Sequence, residues 1–90
     1  MNLHTIFINT FLNTVNQPYY SVSNQKLKDI FYELINYDGD RNDFQLYWTL
    51  RNFWINEGIL EKGRGLGGSI GFNPDLTYEE ILIKIKNLPD

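Results

Sequence analysis

The chain has 90 residues, 42% of them apolar and 16% aromatic, with a formal net charge of −3, no cysteine and one histidine, His4. That length suits one domain over residues 1–90 with a modest core, and the apolar content excludes a disordered chain. Disulfides, thiolate nucleophiles and cysteine-ligated zinc are excluded with the missing cysteine, the single histidine argues against a histidine-built metal site or triad, and no cofactor is expected.

The apolar residues never run long enough to span a bilayer, and the N-terminus lacks the basic, apolar, small-residue order of a signal peptide. A soluble, cytoplasmic chain without a membrane partner is expected.

Leu3, Ile6, Phe7, Phe11 and Val15 recur at helical spacing and predict an amphipathic helix over about 3–16, ended by Pro18. The segment YYSVS at 19–23 favours a minor edge strand. Ser23 suits the N-cap of a second helix over about 24–36, with Leu27, Ile30, Phe31, Leu34 and Ile35 facing inward. YDGDRND at 37–43 breaks that pattern with Asp-Gly turn chemistry.

Asn42 and Gln45 have capping-box spacing for a third helix over about 43–57, and Gly58 suits the left-handed residue that stops it. ILEK at 59–62 and SIGF at 69–72 bracket a glycine loop and predict a β-hairpin over about 59–72. Thr77 and Glu80 form a capping box for a last helix over about 78–87, with Tyr78, Ile81, Leu82 and Ile85 inward. The order of elements is that of an α+β winged helix, a helix-turn-helix with a C-terminal hairpin wing and an extra helix.

The loop GRGLGG at 63–68 matches the G-x-G-x-x-G spacing of nucleotide-binding loops. That chemistry needs a helix to open at the loop so that its N-terminus faces phosphate. Gly71 and Pro74 prevent such a helix, and a kinase-type loop would need catalytic and metal-binding motifs that the chain lacks. Two readings remain: a flexible hairpin closure, or a wing whose glycines let the backbone approach a phosphodiester strand beside Lys62 and Arg64.

DGDRND at 38–43 opens like a calcium loop but has Asp43 where glycine is required and Thr49 where the bidentate glutamate belongs, so a turn is expected. No catalytic residue is expected: Ser69 has no histidine beside it in sequence, and the adjacent Glu79 and Glu80 point to different helix faces. Residues 41–72 carry a balance of +1, against −4 for the rest of the chain.

On the third helix, at 100° per residue, Leu46, Leu50, Phe53 and Trp54 cluster toward the core with Tyr47 at the edge of that arc. Gln45, Thr49, Asn52 and Asn56 fall in one row on the opposite side. Such amides and hydroxyls read base edges in the major groove, although a solvated polar face looks the same. Trp48 and Ile55 lie outside the core arc beside that row, Trp48 either exposed to a partner or packed beneath the wing or the first helix.

The run YWTLRNFWINEGILEKGRGLGGSI at 47–70 resembles the winged-helix modules appended to DNA N6-adenine methyltransferases of restriction-modification systems. Their pattern joins Y-W-x-V-R-x-x-L, a glycine and a G-R-G-R-G-G-[ST]-V wing. Tyr47, Trp48, Arg51, Gly58, Gly63, Arg64, Gly65, Gly67, Gly68 and Ser69 match without a gap, whereas Leu66 replaces the second wing arginine. The match covers about a quarter of the chain.

The resemblance implies a non-catalytic module that binds double-stranded DNA, weakly when alone. Its contacts would be Gln45, Trp48, Thr49, Arg51, Asn52 and Asn56 on the helix, with Lys62, Arg64, Gly65, Gly67, Gly68 and Ser69 on the wing; Arg41 would add charge. It leaves open an excised domain of a larger protein or a free-standing chain. The alternative is a protein-interaction or homodimerisation module without DNA contact, favoured by the acidic remainder of the chain and by Leu66.

Overall fold

A computed structural model describes residues 2–15, 21–63 and 68–87. In chain order these form α1 (Leu3–Thr14), β1 (Ser21–Ser23), α2 (Asn24–Leu34), α3 (Gln45–Asn56), β2 (Leu60–Lys62), β3 (Ser69–Phe72) and α4 (Tyr78–Asn87). The result is a small α+β domain in which both hairpin strands pair antiparallel. β3 is central in the order β1-β3-β2, pairing Val22 with Ile70 on one side and Lys62 with Ile70 on the other. The predicted edge strand is realised as β1 over Ser21–Ser23; Tyr19 and Tyr20 lie outside the described residues.

The helix ends follow local hydrogen-bonding chemistry. Asn2 caps α1 by accepting from the His4 and Thr5 amides, and Ser23 caps α2 by accepting from the Lys26 amide at 3.1 Å. The capping box of α4 forms in both directions, Glu80 N–H to Thr77 Oγ1 at 3.1 Å and Thr77 N–H to Glu80 Oε1 at 3.0 Å.

Gly58 at φ +76° stops α3, its amide bonding Ile55 O and the Ile59 amide bonding Trp54 O. Asn36 at φ +56° does the same for α2: its amide reaches Glu33 O, the Tyr37 amide reaches Tyr32 O, and the Tyr37 ring packs on Tyr32 at 4.3 Å. The helices thus stop before the predicted ends, at 14, 34 and 56 rather than 16, 36 and 57. Pro18 lies outside the described residues.

One apolar cluster joins the helices to the sheet. Phe7 of α1 meets Phe31 of α2 and Tyr47 of α3, each at a centroid distance of 5.5 Å. Phe11 meets Phe72 of β3 edge-on at 4.9 Å, and Phe72 meets Tyr78 of α4 at 5.5 Å. Each buried ring of this size contributes about 1.5–3 kcal/mol relative to exposure, with edge-to-face geometry adding to that.

The inward faces differ from expectation at four places. Tyr47, predicted at the edge of the α3 arc, is fully buried. Ile30 and Leu34 of α2 and Leu82 of α4, predicted inward, are exposed. Helical spacing places them on an apolar side, but the neighbouring elements fully cover Leu27 and Phe31 of α2 and Ile81 of α4, and partly cover Ile35, Tyr78 and Ile85. Among the described residues no helix is long and apolar enough to cross a membrane.

Candidate nucleic-acid interface

The helix bearing the predicted contacts, α3, is held at its start by α2. The Tyr32 hydroxyl donates to Asp43 O at 2.8 Å and accepts from the Tyr47 amide at 3.2 Å, while Asp43 Oδ1 accepts from the Gln45 amide at 2.9 Å. These bonds satisfy first-turn donors that would otherwise lack partners. The expected Asn42–Gln45 box does not form: Phe44 occupies the N-cap and contributes no side-chain bond. The tertiary contact from Tyr32 takes that role.

Gln45, Thr49, Asn52 and Asn56 are all exposed, as the helical spacing predicts. Thr49 Oγ1 donates back to Gln45 O at 3.0 Å, which leaves its lone pairs for another donor. Asn52 Oδ1 accepts from Arg51 Nη1 at 3.1 Å, which leaves the Asn52 amide donors for an outside acceptor.

Arg51 departs from the prediction. It was expected on the exposed face, yet it is only 7% exposed. Its guanidinium lies 4.8 Å from the Trp48 ring centre. Burial draws its pKa below the ordinary arginine value, partly offset by Tyr47. Its Nε has no hydrogen-bond partner among the described residues. The long apolar stem and delocalised charge of arginine suit such a stacked site, where the ring face replaces part of the lost hydration. Arg51 is therefore a support for Trp48 and Asn52 rather than a free cation.

Trp48 is 37% exposed and resolves the two options left by the sequence in favour of a half-open ring. Phe44 stacks on it at 5.3 Å with 24° between planes, and Lys28 Nζ lies 4.7 Å from the Phe44 ring centre. Lys28, Phe44, Trp48 and Arg51 thus form a run of cation, aromatic, aromatic and cation.

Lys28 is buried because its ammonium donates to the Arg41 carbonyl and pairs with Asp29 at 2.8 Å. The bond to Lys28, joined by one to Gln25, holds the Asp29 carboxyl below its ordinary value. Lys28 was missed as a site residue; its place one helical turn from Asn24 and Tyr32 on the buried stripe was the available signal.

On the hairpin, Lys62 and Gly68 are exposed, Gly68 with φ +80°. Ser69 is half-buried and turns toward Gly63: a Cβ on Gly63 would meet Ser69 Oγ at 1.8 Å, and the Gly63 amide donates to Ser69 O at 2.7 Å. Ser69 therefore closes the hairpin neck instead of presenting its hydroxyl outward as expected. Arg64, Gly65 and Gly67, together with Leu66, lie outside the described residues.

Asn24, also missed in the sequence, joins the parts. Its amide donates to Gly68 O at 3.2 Å, and its Oδ1 accepts from the Tyr47 hydroxyl. Nothing in its sequence context distinguishes it from an ordinary first helical residue.

The charge supply is smaller than the sequence suggests. Arg41 donates to Tyr37 O at 3.1 Å and pairs with Glu33 at 2.5 Å, so its charge is compensated. With Arg51 buried, Lys62 is the exposed cation of residues 41–72 without an ion pair among the described residues. Comparison of the chain with protein-family models, with curated proteins and with solved structures finds no match in any of the three.

Proposed function

We propose that the chain is a non-catalytic winged-helix module that binds double-stranded DNA, with α3 in the major groove and the glycine-rich segment 63–68 along the adjacent phosphate backbone. The observation that carries this reading is the exposed row Gln45, Thr49, Asn52 and Asn56, flanked by the half-open Trp48 ring. Amides and hydroxyls in such a row suit the donor and acceptor pattern of base edges. The resemblance of residues 47–70 to the modules of restriction-modification methyltransferases supports the same assignment.

Binding of the isolated chain is weak because few cations face the phosphates. Lys62 and Arg64 give a slope of about −2 for log affinity against log salt, at about −0.9 per neutralised phosphate. Titration of a labelled duplex at several salt concentrations tests this. Arg64→Ala flattens the slope by about one unit, and Leu66→Arg steepens it by about one unit and tightens binding. Asn52→Ala weakens a preferred sequence without altering the slope. Absence of binding by both the wild type and Leu66→Arg at low salt would overturn the assignment.

A further inference from the structure

The outward side of α4 carries an exposed stripe of mixed apolar and charged residues. Glu79, Leu82, Ile83 and Lys86 are all exposed, Leu82 at 40% and Ile83 at 59%. Their spacing of three, one and three residues places them within about 100° of arc on a helix turning 100° per residue. This stripe is separate from the inward face of α4, where Ile81 is buried and Tyr78 and Ile85 pack against the core. It is also separate from Glu80 and Lys84, which lie on a third, polar side.

The stripe reads acid, apolar, apolar, base along the helix. A two-fold axis between residues 82 and 83 would place Leu82 against the Ile83 of a second copy. The same operation would bring Glu79 against the other copy's Lys86, at both ends at once. Neither Glu79 nor Lys86 has an ion-pair partner among the described residues.

Favourable interaction with the helix dipole accounts for acids in the first turn and bases in the last. It accounts equally for Glu80 and Lys84, and it does not explain two large aliphatic residues between Glu79 and Lys86 on one exposed stripe. A closed two-fold contact is self-complementary, which is what this pattern provides.

We infer that the chain self-associates through an antiparallel α4–α4 contact, its partner being a second copy of this chain. The inference does not rest on DNA binding. A ten-residue helix is about 15 Å long, and one such contact buries less than the roughly 1,200 Å² of stable complexes. The dimer is therefore weak and fills only at high protein concentration.

Sedimentation equilibrium on the full chain, up to about 1 mM protein, tests the proposal. The wild type is expected to show a monomer–dimer equilibrium, and Ile83→Asp to remain monomeric with an unchanged far-UV circular dichroism spectrum. Glu79→Lys alone and Lys86→Glu alone each weaken association by about tenfold, because both ends of the contact then oppose like charges.

The double variant Glu79→Lys/Lys86→Glu regains wild-type association, as does an equimolar mixture of the two single variants. A wild type that stays monomeric, an Ile83→Asp variant that still dimerises, or a double swap that fails to recover would each overturn the antiparallel α4 contact. The charge variants lie on exposed positions, so the swap remains decisive should Ile83→Asp fold poorly.

Discussion

The Tyr47 hydroxyl, at the centre of the core, donates to Asn24 Oδ1, while the Asn24 amide donates to Gly68 O at the base of the hairpin. One residue thus ties the start of α2 to α3 through its side chain and to the base of the β2–β3 hairpin through its backbone N–H. The relative placement of the helix row and the base of the hairpin at Gly68 is set by this buried junction rather than by the surface residues themselves.

Tyr47→Phe is expected to lower stability at neutral pH by about 1–3 kcal/mol, because Asn24 Oδ1 is left buried without its donor. Burial holds the hydroxyls of Tyr47 and Tyr32 above the ordinary tyrosine range. In the unfolded chain both ionise near pH 10, so their stabilisation is fully present below about pH 10 and is lost progressively above it, as pH rises through the raised folded-state values. Urea midpoints measured from about pH 8 to 11 should fall less steeply for Tyr47→Phe than for the wild type. Parallel curves would mean that the hydroxyl is not shielded as described.

Trp48 and Arg51 should be energetically coupled. In a double-mutant cycle with Trp48→Ala and Arg51→Met, the coupling is expected at about 0.5–2 kcal/mol, since the guanidinium is desolvated over the ring. Denaturation midpoints of the four proteins measure it. Additive losses would contradict a stacked pair and would return Arg51 to the list of free cations.

The two helix-stopping residues should respond in opposite ways. Asn36→Gly is expected to raise stability by about 0.5–1 kcal/mol, because glycine takes the left-handed conformation without the Cβ penalty. Gly58→Ala is expected to lower it by about 1–2 kcal/mol for the same reason, although no atom lies near the added methyl group. Thermal unfolding of both variants distinguishes this backbone effect from packing, which predicts no cost at Gly58.

The α4 capping box should be acid-sensitive. The Thr77 amide and hydroxyl hold the Glu80 carboxyl below the ordinary glutamate value. Its contribution is therefore present above the unfolded value of about 4.3 and is lost as pH falls through the lower folded value. Nuclear magnetic resonance of the Thr77 amide across about pH 5 to 2 should show a shift following that titration, absent in Glu80→Gln. An amide shift unchanged by the substitution would remove Glu80 as its cause.

Local chemistry was legible in the residues. Ser23, Gly58 and the Thr77–Glu80 pair act where capping and left-handed geometry require them, because those interactions span only a few residues of chain. The polar row of α3 was legible for a similar reason: exposure of Gln45, Thr49, Asn52 and Asn56 follows from one helical period and one apolar side.

Contacts from distant parts of the chain decided the rest. Periodicity marks Ile30, Leu34 and Leu82 as apolar but does not say that no neighbouring element covers them. It places Arg51 beside the polar row, whereas the Trp48 ring and the protein around it take the guanidinium out of water. The start of α3 is satisfied by Tyr32, fifteen residues before the amide that it accepts from. Burial depends on which surfaces meet, and that is settled only when α2, α3 and the hairpin close on one another around Tyr47 and Asn24.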